Sequence, residues 1–195
     1  GQAILVQCYS LRGLDAVAAL NISTTVSNLF NIVFIALGSA ISIVVGQQLG
    51  AGDMEKAVDT DRKMIFFSVL CCAVVGGLLC LVAPAFPKIY NTTNEVRELA
   101  AGLLRISSLF MPLYAFYHAA YFTLRTGGKT WITFLFDSCY VWAVNIPVAF
   151  VLSRFTALPL LAIFLACQSV EIVKAVVGFV LIKKGVWIHN MVENI

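Results

Sequence analysis

No charged residue stands between Asp15 and Asp53, and none stands between Lys63 and Lys88. A helix rises about 1.5 Å per residue, so roughly 20 apolar residues suffice to cross a hydrocarbon core about 30 Å thick. In lipid a backbone must satisfy its own hydrogen bonds, and these runs are continuous rather than alternating, which selects helix over strand. The bias extends along the whole chain: 61% of residues are hydrophobic, 12% are charged, and the mean hydropathy is +0.93. Soluble domains carry about a quarter charged residues. That difference excludes a soluble enzyme, a disordered chain and a disulfide scaffold. The net charge of +3 is small and scattered, with no basic patch interleaved with aromatics, so nucleic acid is not an expected partner.

The expected fold is an all-α polytopic membrane protein, a six-helix transmembrane bundle with a partial first span over residues 1–10. Complete spans are expected over 14–46, 64–84, 99–124, 131–152 and 158–182, followed by a tail over 183–195. The chain enters an apolar stretch directly at Gly1, without a methionine or the charged start of a signal peptide, which reads as a start within a longer protein. Lys56, Arg62, Lys63, Arg125, Lys129, Lys183 and Lys184 fall in one set of connections, whereas the alternate set holds Arg12, Lys88, Arg97 and Arg154. Lys and Arg accumulate on the cytoplasmic side, so the chain is expected to be multi-pass in the cytoplasmic membrane with the first set and the C-terminus on the cytoplasmic side. Trp187 in the tail suits an interfacial belt. Cys8, Cys71, Cys72, Cys80, Cys139 and Cys167 form no CxxC pair and lie in or beside apolar runs, where cysteine serves as a small hydrophobe.

The polar residues inside the spans carry the functional signal. In the second run Asn21, Thr24, Asn28, Asn31, Ser39, Ser42 and Gly46 fall within about a quarter of a helical wheel, interrupted only by Ile35. Such a stripe turns toward other helices, as packing, or toward a water-filled cavity. In the fourth run Pro112 removes a backbone donor and is expected to kink the helix, freeing a carbonyl for a neighbour or for water. Beyond it Tyr114, Tyr117, His118 and Tyr121 share a face that packs against another helix or receives a lipophilic cation on its rings. His118 is either a hydrogen-bond donor or a proton shuttle. Two carboxylates lie within spans, Asp137 and Glu171, and an ionisable residue at that depth is a candidate for ion coupling. Their structural alternatives are a hydrogen bond from Asp137 to a neighbouring helix and a salt bridge from Glu171 to Lys174 at i+3.

The turn RTGGKT, residues 125–130, ends like a phosphate-binding loop, but Thr123 stands where that loop needs its first glycine and an apolar helix precedes it. An ATP site is therefore rejected, as are the common enzyme and metal-ligand motifs, and no cofactor is expected. Any pumping therefore draws on an ion gradient.

The strings RGLDAVAALNISTTVSNLF and GQQLGAGDMEKA, followed in order by PAFPKIYNTTNEV, LRTGGKT, FDSCYVWAVNIPVAF and KKGVWIHNM, resemble the multidrug and toxic compound extrusion (MATE) transporters over essentially the whole chain. The resemblance implies the C-terminal half, from the end of the seventh helix through the twelfth, as one lobe of a two-lobe protein. It also implies an N-terminal six-helix bundle as partner and exchange of amphipathic, often cationic, drugs or metabolites for Na⁺ or protons. One branch of that family has an acidic residue near the position of Tyr114, so this chain departs from it there. Two alternatives are a lipid-linked glycan flippase of the same superfamily, which would line its groove with arginines where only Arg105 is available, and a non-transporting remnant of a broken gene.

Overall fold

A computed structural model describes residues 1–128 and 130–188, apart from the side chain of Gln2. Lys129 and the tail beyond Ile188, both used in the orientation argument, lie outside the described residues. The described residues are helical, without a strand. The short α1 (Gln2–Ser10) leads into α2 (Leu14–Gly50), α3 (Met54–Val82), α4 (Asn94–Thr126), α5 (Thr130–Phe155) and α6 (Leu160–Lys183). All five of the longer helices are long and apolar enough to cross a membrane.

Local chemistry fixes the ends. Gly13 at φ 109° and Gly52 at φ 78° supply the backbone conformations that the turns around α2 require. Asp53 accepts a hydrogen bond from the Lys56 amide to cap α3, and Thr93 accepts one from the Val96 amide to cap α4. Arg12 donates to the carbonyl oxygens of Leu152 and Thr156, tying the α1–α2 turn to the end of α5. The 37 residues of α2 extend about 55 Å, so the helix overruns the bilayer core.

α4 is the central helix and packs against α2, α3 and α6, while α1 leans on the second half of α5. Glycines set the closest approaches. A Cβ at Gly38 would meet the Phe122 ring at 2.1 Å, and one at Gly76 would lie 2.6 Å from the Ser108 carbonyl oxygen. Ser108 is the residue whose carbonyl Pro112, four positions on, cannot bond. The helix continues through Pro112, and the bare backbone of Gly76 covers the freed carbonyl.

Three apolar clusters hold the bundle: one around Tyr9, Leu20, Leu103 and Ile163, one around Phe34, Cys72, Leu104 and Met111, and one around Ile41, Leu49, Leu124 and Trp187. Trp187 corrects an expectation. It is 1% exposed, with its backbone against Gly127 at the α4–α5 turn, and so is a core residue rather than an interfacial anchor. Meanwhile Phe66, Leu70, Leu78 and Leu81 of α3 and Val173, Val176 and Phe179 of α6 point outward, as lipid-facing surfaces do. All six cysteines are free.

Candidate functional site

The polar stripe of α2, the aromatic face of α4 and the carboxylate-bearing faces of α5 and α6 meet around a cavity of about 680 Å³. Thr24, Asn28 and Asn31 come to it from α2, Tyr114, Tyr117 and His118 from α4, Asp137 from α5, and Glu171 from α6. Phe34 adds an aromatic wall. Its ring stacks on His118 with centroids 5.3 Å apart, and His118 stacks on Tyr117 at 4.8 Å. Tyr114 meets Tyr117 edge-on at 5.7 Å. His118 Nδ1 lies 2.9 Å from the Tyr114 carbonyl oxygen and donates to it, so the ring is held by its own helix.

Two of the expected lining residues lie elsewhere. Asn21 is exposed away from the cavity, where its carbonyl accepts hydrogen bonds from the hydroxyls of Thr24 and Thr25. Tyr121 sits one turn beyond Tyr117, pairs edge-on with Phe122 at 5.5 Å and joins the apolar cluster around Leu124. The α2 stripe therefore divides along its length. Thr24, Asn28 and Asn31 reach the cavity, whereas Ser42 is 2.7 Å from the Thr126 hydroxyl and Gly46 faces Thr126, as packing against α4. Two crossing helices diverge with distance from their contact, so one stripe serves packing at one end and the cavity at the other.

Within the site, the charged side chains find their partners across helices rather than along one. Lys174 Nζ donates to Asp137 Oδ1 at 2.7 Å and stands 4.5 Å from the centre of the Tyr117 ring. The expected Glu171–Lys174 salt bridge is not formed. Glu171 accepts instead from Asn145 Nδ2, and the carboxylate that neutralises Lys174 is Asp137. At i+3 the two α6 side chains are neighbours, but α5 offers each a partner directly across the interface. Tyr140 reinforces that interface by donating to the Val170 carbonyl at 2.6 Å. Asp137 and Asn145 lie in two π-helical turns of α5, Leu135–Cys139 and Val141–Asn145, a widened geometry that recurs at functional sites.

Asn145 and Lys174 are the residues that sequence reasoning undervalued. The signal was present as polar side chains within apolar runs, yet periodicity on one helix does not reveal a partner on the next. Arg105, the arginine considered for a flippase groove, is exposed and does not line the cavity.

The MatE family model matches residues 1–151. The chain is 26% identical over 156 residues to a probable multidrug resistance protein, YoeA, of Bacillus subtilis, covering 78% of this chain and 33% of that protein. It is 23% identical over 177 residues to a probable multidrug resistance protein, NorM, of Thermotoga maritima, covering 91% of this chain and 38% of that protein. A NorM protein of Pasteurella multocida is 28% identical over 154 residues, covering 78% and 33%. The chain thus spans a little over a third, at most, of the length of these relatives.

Proposed function

The chain belongs to the MatE family, a multi-pass membrane protein by its apolar helices and its relatives, and from that premise we propose that it forms one wall of the substrate path of a secondary active antiporter. The antiporter exports amphipathic or cationic drugs or metabolites across the cytoplasmic membrane in exchange for Na⁺ or H⁺. An N-terminal bundle supplies the opposite wall, and alternating access between the two moves the substrate. The relatives' greater length and their names as multidrug resistance proteins support this reading.

One observation carries it: a cavity among membrane helices that joins aromatic rings to two acidic side chains. Tyr114, Tyr117 and Phe34 offer π faces and apolar area to a lipophilic cation. Asn28 and Asn31 add polar groups to the same lining, so a bound amphipathic molecule meets both characters at once. Asp137 and Glu171 are the carboxylates that line that space, and occupancy by a coupling ion there competes electrostatically with a cationic substrate. The C-terminus lies on the cytoplasmic side.

The test is efflux of a fluorescent lipophilic cation from vesicles holding the transporter that contains this chain, driven by an imposed proton or sodium gradient. Tyr117→Ala is expected to weaken substrate binding at least tenfold while leaving the protein folded. Gradient-independent behaviour, or unchanged binding by the Tyr117 variant, would remove this cavity from the transport path.

A further inference from the structure

α5 and α6 meet through two side-chain to side-chain contacts, one turn apart along α6 and about two turns apart along α5. In the first, Lys174 donates to Asp137; in the second, Asn145 Nδ2 donates to Glu171 Oε1. The second contact is incomplete. Glu171 Oε2 and Asn145 Oδ1 are both shielded from solvent and without a hydrogen-bond partner among the described residues. Their residues are only 9% and 6% exposed and both line the cavity. Buried acceptors left unpaired are costly and uncommon.

The local charge is also unbalanced. Two carboxylates share one ammonium, and that ammonium is on Asp137. The other titratable groups facing Glu171 are Tyr140 from α5, Tyr114, Tyr117 and His118 from α4, Tyr9 from α1 and Cys167 on its own helix. None of these is a second fixed cation. α2 contributes only hydroxyls, amides and apolar groups to the cavity.

We propose that Glu171 and Asn145 form a proton-binding carboxylic acid–carboxamide pair, and that loss of its proton transfers Lys174 from Asp137 to Glu171. A carboxylic acid and a carboxamide can close a two-bond ring, amide N–H to acid carbonyl and acid O–H to amide carbonyl. The first bond is present. One proton on Glu171 Oε2 supplies the second, satisfies both orphaned oxygens and neutralises the surplus charge. A metal cation at the same place would set a second positive charge within one helical turn of Lys174.

When the proton leaves Oε2 for the water of the cavity, Glu171 becomes a second carboxylate in a more buried place than Asp137, whose side chain is 51% exposed. The more buried anion has the greater need of a partner. Lys174 lies three residues along the same helix, within pairing distance, and Asp137 is left to water. The exchange dissolves one of the polar ties between α5 and α6 at the π-helical turns, which is how protonation reaches the helix interface. As an identification of the coupling ion this rests on the transport reading above; the proton site itself does not.

Infrared difference spectroscopy of the purified protein in lipid nanodiscs, between acid and alkaline buffer, tests the pair directly. The expected result is a protonated-carboxyl C=O band, sensitive to deuterium exchange, that disappears on raising the pH. It should be absent in Glu171→Gln and retained at acid pH in Asp137→Asn. Gln is isosteric with the protonated acid and reproduces both bonds, so Glu171→Gln should fold. Thermal unfolding across pH tests the lysine transfer. Asp137→Asn should be destabilised at acid pH and regain stability as the pH rises and Glu171 captures Lys174, while Asp137→Asn combined with Glu171→Gln should show no regain. Absence of a Glu171 band, its loss on adding Na⁺ at constant pH, or equal destabilisation of Asp137→Asn at every pH would overturn the proposal. A missing band alongside intact gradient-driven efflux would sink the proton pair and leave transport standing; a band without efflux would do the reverse.

Discussion

Lys174 is 3% exposed in a helix that crosses the membrane, and one carboxylate oxygen at 2.7 Å keeps its charge tolerable there. Removing one partner of a buried pair costs more than the pair contributes, since the remaining charge is stranded. Asp137→Asn is therefore expected to lower membrane abundance at neutral pH or below, Lys174→Gln added to it should restore abundance, and Glu171→Gln added instead should not. Immunoblotting of membrane fractions reads all three. The sequence supports a different pairing, Glu171 with Lys174 at i+3, because spacing along one helix is visible in a sequence and the face of the next helix is not. A second buried acid obeys the same logic. Asp61 is fully buried on α3 and accepts from the Thr123 hydroxyl at 2.6 Å, while its other oxygen has no partner among the described residues. Thr123→Val deletes that donor and is expected to cost about 1–3 kcal/mol in unfolding experiments, with Thr123→Ser close to neutral.

Helices α3 and α4 approach closely because a proline on one and a glycine on the other are matched. Pro112 frees the Ser108 carbonyl, and Gly76 leaves room for it. Gly76→Ala would drive a methyl group to 2.6 Å from backbone oxygen, which cannot move without moving the helix, and is expected to destabilise by about 1–3 kcal/mol. At Gly77 a Cβ meets nothing within 4 Å, so Gly77→Ala serves as the control and should be neutral or stabilising by virtue of helix propensity. Thermal unfolding in detergent distinguishes them. α2 is the element on which sequence and structure diverge most usefully. Its polar stripe is legible as one face, yet α4 converts the half around Ser42 into packing and leaves Asn28 and Asn31 on the cavity. Single cysteines at Asn28 and Asn31 should react with small polar thiol reagents and be protected by substrate. Val33 is exposed but off the cavity, so a cysteine there should not react. Uniform reactivity at all three sites would return the stripe to packing.

Across the whole molecule, the basic connections predict that the loop containing Asp53 and the one containing Asn91 lie on opposite sides of the membrane. With the native cysteines replaced, a cysteine at Asn91 should be labelled by an impermeant reagent outside intact cells and one at Asp53 should not; the opposite pattern would invert the topology. The transport reading adds that this bundle by itself, inserted in vesicles, should move no substrate, since it supplies only one wall of the substrate path. The sequence alone determined the solvent, the element type and the number of long spans, because transfer of about 20 apolar residues into lipid with a self-satisfied backbone has one economical solution. It also determined which residues were unusual, since Asn28, Asn31, Tyr117, Asp137 and Glu171 stand out against apolar runs. Only the tertiary structure decided what those residues do to one another. It excluded Asn21 and Tyr121 from the cavity, buried Trp187, gave Lys174 to Asp137, and left Glu171 and Asn145 each with one oxygen unpaired among the described residues. The physical reason is that hydrophobicity and helical period are properties of one segment, whereas a charge inside a membrane is governed by the partner nearest in space, which the angle at which two helices cross selects.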